Sequence, residues 1–174
     1  MGFRYEFKQL GDMKDLRLLM NFLASQGLDY RGFDSWLQRS EQELTSGFKQ
    51  AVVAYNEGKI VGDVVYQPEK NLSGFLEIKN VRIDKNLRMR DFARFMLKQI
   101  EVECSGKYMA MIVDARQNNY DFIEFAKRFG FISVANLPLY DKDILDVTMI
   151  KPLDRENRGG IISLARKLAV QKAL

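Results

Sequence analysis

The chain has 174 residues, of which 47% are hydrophobic and 29% charged, an ordinary composition for one soluble globular domain. Its formal net charge of +4 and isoelectric point of about 9.1 favour an anionic partner, such as a polyphosphate cofactor, an acidic protein or nucleic acid, although a mildly basic surface is the plainer interpretation. Histidine is absent, which excludes Ser-His-Asp and Cys-His triads, HExxH zinc sites and any imidazole base.

Cys104 is the one cysteine of the sequence, so no intramolecular disulfide can form. This cysteine usage predicts a reducing compartment, the cytoplasm. No apolar run approaches the roughly 18 residues that a membrane-spanning helix needs, so we expect no membrane partner. Cys104 itself has no base near it in the sequence and is predicted to be a small core residue.

Alternating and helical periodicities follow one another along the chain and predict a mixed α/β fold. The predicted elements, in chain order, are a strand at 3–9, helices at 13–27 and 34–44, strands at 48–56, 59–66 and 75–83, a helix at 89–104, a strand at 108–113, a helix at 121–129, strands at 131–137 and 143–150, and a helix at 161–174. Residues 138–142 are predicted to form a loop. The whole is interpreted as one domain over 1–152, followed by a linker and an amphipathic tail helix over 153–174.

The tail helix has an apolar stripe, which Ile161, Leu164, Ala165 and Leu168 would form. An apolar stripe on a tail helix predicts a partner surface, and a homodimer is one way to cover it. Basic residues on the opposite face could touch nucleic acid, but the spaced aromatic residues that stack on bases are missing there.

The most distinctive segment lies where the strand ending at Ile83 gives way to a helix, in the run Arg88-Met89-Arg90-Asp91-Phe92-Ala93-Arg94. The first amides of a helix have no intrahelical acceptor, and the helix dipole makes that end favourable for an anion. This segment is therefore a candidate phosphate-binding loop. An ordinary helix start with a solvated basic face is the alternative.

Element order and three local stretches resemble the GNAT acyltransferase superfamily over residues 3–152. Arg88 and Ala93 match the ends of the family's Arg/Gln-x-x-Gly-x-Gly/Ala loop, whereas Asp91 replaces a glycine. Asn119 and Gly130, followed by a phenylalanine, fall in register with a second family motif. The resemblance implies a mixed, mostly antiparallel sheet of six or seven strands flanked by helices.

The resemblance also implies acetyl-CoA or another short acyl-CoA as the donor. The cofactor-binding positions that it implies are Val81, Arg82 and Ile83 beside the pantetheine arm, Arg88, Met89, Arg90, Asp91, Phe92, Ala93 and Arg94 around the pyrophosphate, and Asn119 facing the cofactor. Asp91 brings a negative charge toward the pyrophosphate unless its side chain points outward. No metal is implied.

The implied catalytic base is Glu77, which lies eleven residues before Arg88, as does a strand glutamate in the histone-acetylating branch of the family. A carboxylate that is half buried in a strand can have its pKa raised toward neutrality, which suits it to accept a proton from an amine. The alternative is a solvent-facing strand residue paired with Lys79 or with a cross-strand lysine. Ala126 occupies the position of the family's acid tyrosine, so that role is vacant, or is met by water or by another hydroxyl such as Tyr120 or Tyr140.

These residues predict an enzyme that transfers an acetyl or short acyl group from CoA to a primary amine, on a small molecule or a protein, by direct attack in a ternary complex. Asp91 and Ala126 leave open a catalytically degenerate GNAT-fold binding or regulatory module. An RNA-directed acyltransferase is a third hypothesis, based on the basic isoelectric point and the stretch around Trp36.

Overall fold

The computed structural model describes residues 4–26, 32–154 and 156–173, and it has the predicted order of elements. The strands are β1 (Tyr5–Gln9), β2 (Gln50–Asn56), β3 (Lys59–Pro68), β4 (Phe75–Ile83), β5 (Ala110–Arg116), β6 (Ile132–Asp141) and β7 (Ile144–Pro152). The helices are α1 (Met13–Ser25), α2 (Phe33–Thr45), α3 (Phe92–Cys104), α4 (Tyr120–Phe129) and α5 (Arg158–Ala173). A short 3₁₀ turn spans Lys85–Leu87.

The seven strands form one sheet in the order β1-β2-β3-β4-β5-β7-β6. Strands β4 and β5 are parallel, whereas the pairs β1–β2, β2–β3, β5–β7 and β6–β7 are antiparallel. The parallel ladder of β4 and β5 runs from Phe75 and Ala110 to Ile78 and Val113, and β4 continues beyond it to Ile83. The predicted mixed, mostly antiparallel sheet is confirmed.

One compact unit comprises Met1–Gln67 and Asn80–Ile100. Its core forms between α1, α2 and strands β2 and β3, where Leu19 and Val53 are fully buried. Helix α1 begins as the sequence predicts, because the side chain of Asp12 accepts a hydrogen bond from the amide of Asp15. The two-residue loop between β2 and β3 has positive φ at Glu57 and Gly58, the conformation that type I′ hairpin turns require.

The second unit comprises Pro68–Lys79 and Glu101–Leu174. Its core contains residues of β4, β5 and β7 together with the inner face of α5, namely Phe75, Ala110, Ile112, Ile150, Ile161, Ala165 and Leu168. The apolar stripe that predicted a partner surface is therefore mostly buried against the same chain. Leu164, the fourth member of the predicted stripe, is 37% exposed.

Several predicted boundaries were wrong. The third helix begins at Phe92 rather than Met89, because Met89 and Asp91 have positive φ and cannot continue a right-handed helix. The loop predicted at 138–142 is mostly strand, since β6 extends to Asp141. The first predicted strand and helix included residues 3 and 27, which lie outside the described residues.

Side chains of α3 and α4 also depart from the predicted burial. Phe95 is 60% exposed, although it was expected beside Phe92, Met96 and Ile100, which are buried. On α4, Ile123 and Ala126 are buried, whereas Phe122, Phe125 and Phe129 are half-buried, with the ring of Phe125 stacked on Phe129 and tilted against Phe122. Cys104 is buried, and burial raises the pKa of its thiol, as expected of a core cysteine. Among the described helices, none has the length and apolar character needed to cross a bilayer.

Candidate active site

The phosphate-loop candidate keeps a glycine-like backbone without glycine. Met89 has φ 62° and Asp91 has φ 60°, so two left-handed residues alternate with right-handed or extended neighbours just before α3. Such alternation turns successive amides toward one side and forms an anion-binding concavity. Asp91 stands where the related motif has glycine, and aspartate is one of the few residues that tolerates this conformation. At both positions the loop thus has a left-handed backbone conformation, which glycine adopts readily.

The charged side chains of this loop are exposed. Asp91 is exposed, and within residues 84–95 its carboxylate accepts no described hydrogen bond from the start of α3. The backbone oxygen of Asp91 accepts the first helical bond, from the amide of Phe95 at 2.9 Å. Arg88, Arg90 and Arg94 are exposed as well, so three guanidinium groups are available to an anion.

The end of β4 leads into this loop. Val81, Arg82 and Ile83 are half-buried, and the Nε of Arg82 donates to the Oδ1 of Asn80 at 3.2 Å. The Nε of Arg88 donates a long 3.4 Å hydrogen bond to the carbonyl of Ile83. These three strand residues lie past the parallel ladder with β5, which ends at Ile78.

A second cluster belongs to the unit that contains α5, and its centre is the ammonium group of Lys172. The Nζ of Lys172 lies 2.9 Å from Oε2 of Glu69, 3.2 Å from Oε1 of Glu77 and 3.4 Å from Oδ2 of Asp114. The three carboxylate side chains are only 1–7% exposed, and that of Lys172 is 16% exposed. Lys79 adds a second ammonium, 3.2 Å from the same oxygen of Glu77. We call Glu69, Glu77 and Asp114 the carboxylate cluster.

Glu77 is buried, not solvent-facing, but its pKa shifts against the expectation. Burial pushes the pKa of Glu77 up, yet the ammonium groups of Lys79 and Lys172 outweigh burial and hold the pKa below its ordinary value. The predicted rise toward neutrality was therefore wrong for the resting chain. With its lysine partners in place, Glu77 is a weak base.

Lys172 has the opposite shift. Burial alone would lower the pKa of its ammonium, but Asp114, Glu77 and Glu69 together raise the pKa above the ordinary value. Lys172 is therefore held in its charged form, as an ammonium ion surrounded by carboxylate oxygens.

Asp114 connects the carboxylate cluster to Tyr140. The Oγ1 of Thr148 donates to one carboxylate oxygen of Asp114 at 2.7 Å, and the hydroxyl of Tyr140 donates to the other at 3.1 Å. Burial of this hydroxyl and the charge of Asp114 raise the pKa of Tyr140. Asp146 fixes the strand that carries Tyr140, because it accepts hydrogen bonds from the amides of Leu139 and Tyr140 at 3.1 and 3.3 Å.

The remaining predicted site residues lie at the start of α4 or within it. Tyr120 is its first residue and is 71% exposed, with no described contact to the carboxylate cluster. Asn119 precedes the helix as its N-cap residue without a side-chain capping bond, so its amide group is not used by the helix. Ala126 is buried, with 1% exposure, and offers no proton donor.

Sequence reasoning missed Glu69, Asp114 and Lys172. Lys172 lies 95 residues from Glu77, so no local pattern connects the two. Trp36, which had suggested RNA contacts, packs against the core of α1 and α2, and its ring lies 5.5 Å from the Nζ of Lys49. Within residues 4–26, 32–154 and 156–173, no group of three or more acidic or cysteine side chains is arranged to hold a metal ion.

Comparison with known proteins agrees with this architecture. A sequence model described as the acetyltransferase (GNAT) family matches residues 17–131. No curated protein sequence matches the chain. Among solved structures, one assigned to the GNAT family from Desulfovibrio desulfuricans has a TM-score of 0.75 at 14% identity, covering 87% of this chain and 100% of that one.

Two further structures have the same fold. The ribosomal-protein-S18-alanine N-acetyltransferase from Escherichia coli has a TM-score of 0.67 at 14% identity, with 87% of this chain and 95% of that chain covered. An aminoglycoside 6'-N-acetyltransferase that was crystallised with coenzyme A has a TM-score of 0.66 at 14% identity, with 86% and 97% covered. At this identity the likeness establishes the fold alone.

Proposed function

Because the chain belongs to the acetyltransferase (GNAT) family, we propose that it transfers an acetyl or similar short acyl group from CoA to a primary amine, by direct attack in a ternary complex. The observation that carries the proposal is the conformation of Asp91. Its φ of 60° is a conformation that glycine adopts readily, at the position of the missing glycine, and its exposed carboxylate accepts no described hydrogen bond from the amides that would bind the donor.

The residues of the loop fit a pyrophosphate. The phosphate oxygens would be held by the backbone amides from Arg88 to Ala93, which include those of Met89, Arg90, Asp91 and Phe92. The side chains of Arg88, Arg90 and Arg94, which are exposed, would add charge-assisted hydrogen bonds. The backbone of Val81, Arg82 and Ile83 would pair with the pantetheine arm, because the ladder with β5 ends before these residues. Asn119 would face the donor with an amide group that its helix does not use.

Acetyl-CoA, when bound, supplies a thioester whose carbonyl carbon forms the new bond to nitrogen while the bond to sulfur breaks. Glu77 accepts the proton that the amine loses, directly or through one water, and its burial in β4 favours the protonated product. The proton for the departing sulfur comes from Tyr140, whose hydroxyl donates to Asp114 of the carboxylate cluster, rather than from Tyr120, which makes no described contact with that cluster. A CoA thiol is acidic enough, with a pKa of about 9 near that of free cysteine, that this proton is helpful rather than obligatory.

Calorimetry with acetyl-CoA and with CoA tests the binding step. We expect saturable binding of both, and no detectable heat at millimolar ligand would defeat the proposal. Release of free thiol in the presence of n-butylamine or a lysine-containing peptide tests turnover.

Glu77→Gln tests the base. It should lower kcat/KM by about 10²- to 10⁴-fold, the range typical of a lost general base, with donor affinity unchanged. Glu124→Gln is the matched control, because Glu124 is 56% exposed on α4 and pairs only with Lys127 within the described residues. Equal activity of the two variants would remove Glu77 from the mechanism.

A regulatory module without turnover is the second candidate, and the burial of Ala126 favours it. At 1% exposure, this buried position offers no hydroxyl in place of the tyrosine that it replaces. Binding of acetyl-CoA without thiol release over the amine panel would support this candidate. The assays of thiol release are run with both small-molecule amines and proteins as the acceptor.

A further inference from the structure

The carboxylate cluster already holds a primary ammonium, and that ammonium comes from the chain itself. Lys172 lies in the last turn of α5 and reaches three acidic side chains from three different segments: Glu69 before β4, Glu77 within β4 and Asp114 in β5. All three carboxylates are almost completely buried. An alkylammonium ion surrounded by carboxylate oxygens is the arrangement that a receptor for a primary amine would have.

We propose that Glu69, Glu77 and Asp114 form the binding site for the ammonium group of the acceptor, and that Lys172 is an internal pseudosubstrate that occupies this site until an acceptor displaces it. Identification of the ligand as the acceptor rests on the proposed acyltransferase function. The ammonium site itself rests on the geometry alone, so the two can fail separately.

The charges of the cluster fit this role. Three carboxylates face two ammonium groups, those of Lys79 and Lys172, so the group as a whole keeps one negative charge. Without Lys172 it would have two negative charges in a buried setting, which is costly unless another cation enters. An acceptor amine would restore the balance that Lys172 now provides.

Glu69 is prepared for a cation by the loop that carries it. Its Oε1 accepts from the amide of Asn71 at 3.1 Å, and its own amide donates to the carbonyl of Phe75 at 2.8 Å. The other oxygen, Oε2, is the one that lies 2.9 Å from Lys172. Asp114 is similarly oriented by Thr148 and Tyr140. Glu69 and Asp114 are thus held by hydrogen bonds that do not depend on Lys172.

Displacement of Lys172 does not require α5 to leave the sheet. The helix is anchored by Ile161, Ala165 and Leu168, which lie one to three turns before Lys172 and are buried. Helix ends open locally at little cost, and the lysine side chain has four rotatable methylene bonds. Rotation of this one side chain would expose the cluster while the core stays closed.

The pseudosubstrate also explains why Glu77 is a weak base at rest. Lys172 is one of the two charges that lower the pKa of Glu77, so its departure moves the pKa of Glu77 upward. An acceptor that replaces Lys172 and then loses a proton would leave Glu77 buried with one cation fewer. Glu77 then has a higher pKa than in the resting chain and can retain the proton that the acceptor has lost.

The test is an NMR titration of the full chain with n-butylammonium chloride, followed through the amides of Ile112 and Thr148, which flank the cluster, and through the side-chain signals of Lys172. We compare the wild type, Lys172→Met, Lys172→Gln and Lys167→Met. Lys167 is exposed on the same helix, so Lys167→Met is the control that removes one positive charge from α5 outside the carboxylate cluster. Sodium chloride at equal ionic strength and n-butanol are the ligand controls.

We expect both Lys172 variants to bind butylammonium saturably, at least about tenfold more tightly than the wild type and Lys167→Met, because an intramolecular competitor at high effective concentration has been removed. Butanol should not bind. In the wild type, high butylammonium should shift the Lys172 signals toward those of an exposed lysine. Since this last observation needs no variant, the test survives if either substitution unfolds the protein.

Equal butylammonium binding in all four proteins, or unchanged Lys172 signals throughout the wild-type titration, would overturn the inference and leave Lys172 as an anchor of the helix. Calorimetry with acetyl-CoA is performed on the same samples. Butylammonium binding without acetyl-CoA binding would support the ammonium site and refute the acyltransferase. If acetyl-CoA binds but butylammonium binding is the same in the Lys172 variants and the wild type, the result would support the acyltransferase and refute the ammonium site.

Discussion

The Nδ2 of Asn80 donates a 2.6 Å hydrogen bond to the Oδ2 of Asp63, and both side chains are buried. The other carboxylate oxygen, Oδ1, has no hydrogen-bond partner among the described residues. Burial raises the pKa of Asp63 to about 7, although Asn80 and Arg82 oppose the shift. An acidic group whose pKa is raised in the folded state binds its proton more tightly there than in the unfolded chain.

Asp63→Asn should therefore gain stability relative to the wild type as the pH rises. The wild type loses stability between about pH 4 and pH 7, because the folded state retains a proton that the unfolded state releases. The variant has no such group, so its advantage should grow by roughly 2–4 kcal/mol over this window and then level off. Urea unfolding at pH 4.5, 5.5, 6.5 and 7.5 measures the difference in the free energy of unfolding between the variant and the wild type. Asp143→Asn, at an exposed turn, is the control, and a difference that does not vary with pH would contradict the expected titration.

Much of the fold follows from local sequence. The alternation of apolar and polar residues in 75–83 predicted β4 with its observed bounds. Asp12 predicted the start of α1, where its side chain accepts a hydrogen bond from the amide of Asp15. The β2–β3 turn was predictable because asparagine, glutamate and glycine favour positive φ. These signals lie within a few residues of the structure that they specify.

The candidate site was only partly predictable, for a physical reason. Glu77 could be identified from its spacing to Arg88, but its pKa depends on Lys172, which approaches it only after α5 folds onto the sheet. Helix α3 was predicted to begin too early because Met89 and Asp91 have helix-compatible side chains but left-handed backbones. Long-range contacts and local strain are not encoded in periodicity.

Substitutions of Asp91 separate backbone shape from charge. Asp91→Asn keeps a residue that tolerates φ 60° and removes the negative charge, so acetyl-CoA should bind several-fold more tightly with little change in stability. Asp91→Ala removes the same charge but disfavours the conformation, and should cost about 1 kcal/mol relative to Asp91→Asn. Calorimetry and thermal unfolding measure the two effects.

Met89→Gly is the companion control for this loop. Met89 has φ 62° and is 96% exposed, so glycine should relieve strain there by up to about 1 kcal/mol without altering charge. Donor affinity that changes more in Met89→Gly than in Asp91→Asn would mean that backbone shape, not the acidic side chain, limits binding.

Gly130 should not tolerate a side chain. It ends α4 with φ 106°, a backbone conformation that L side chains rarely adopt, although the nearest atom to an added Cβ, the Cε of Lys151, would lie at an ordinary contact distance of 3.4 Å. Gly130→Ala should therefore destabilise the fold by about 1–2 kcal/mol. In contrast, Gly159→Ala should stabilise it by up to about 1 kcal/mol, because Gly159 lies in the first turn of α5 with open space around it. Urea unfolding that ranks the two variants in the opposite order would exclude this account.

The two tyrosine candidates for the proton donor can be separated by single hydroxyl deletions. Tyr140→Phe removes the donor to Asp114 and should lower the rate of thiol release by about tenfold or less, because a CoA thiolate can leave without obligatory protonation. Tyr120→Phe should leave the rate unchanged, since Tyr120 is exposed and makes no described contact with the carboxylate cluster. The raised pKa of Tyr140 keeps its hydroxyl protonated at alkaline pH, so the wild-type rate should not fall there through loss of this donor. If Tyr140 has only a structural role, Tyr140→Phe should lower the melting temperature and leave the rate of thiol release unchanged. A larger loss of rate in Tyr120→Phe than in Tyr140→Phe would identify Tyr120, at the start of α4, as the proton donor.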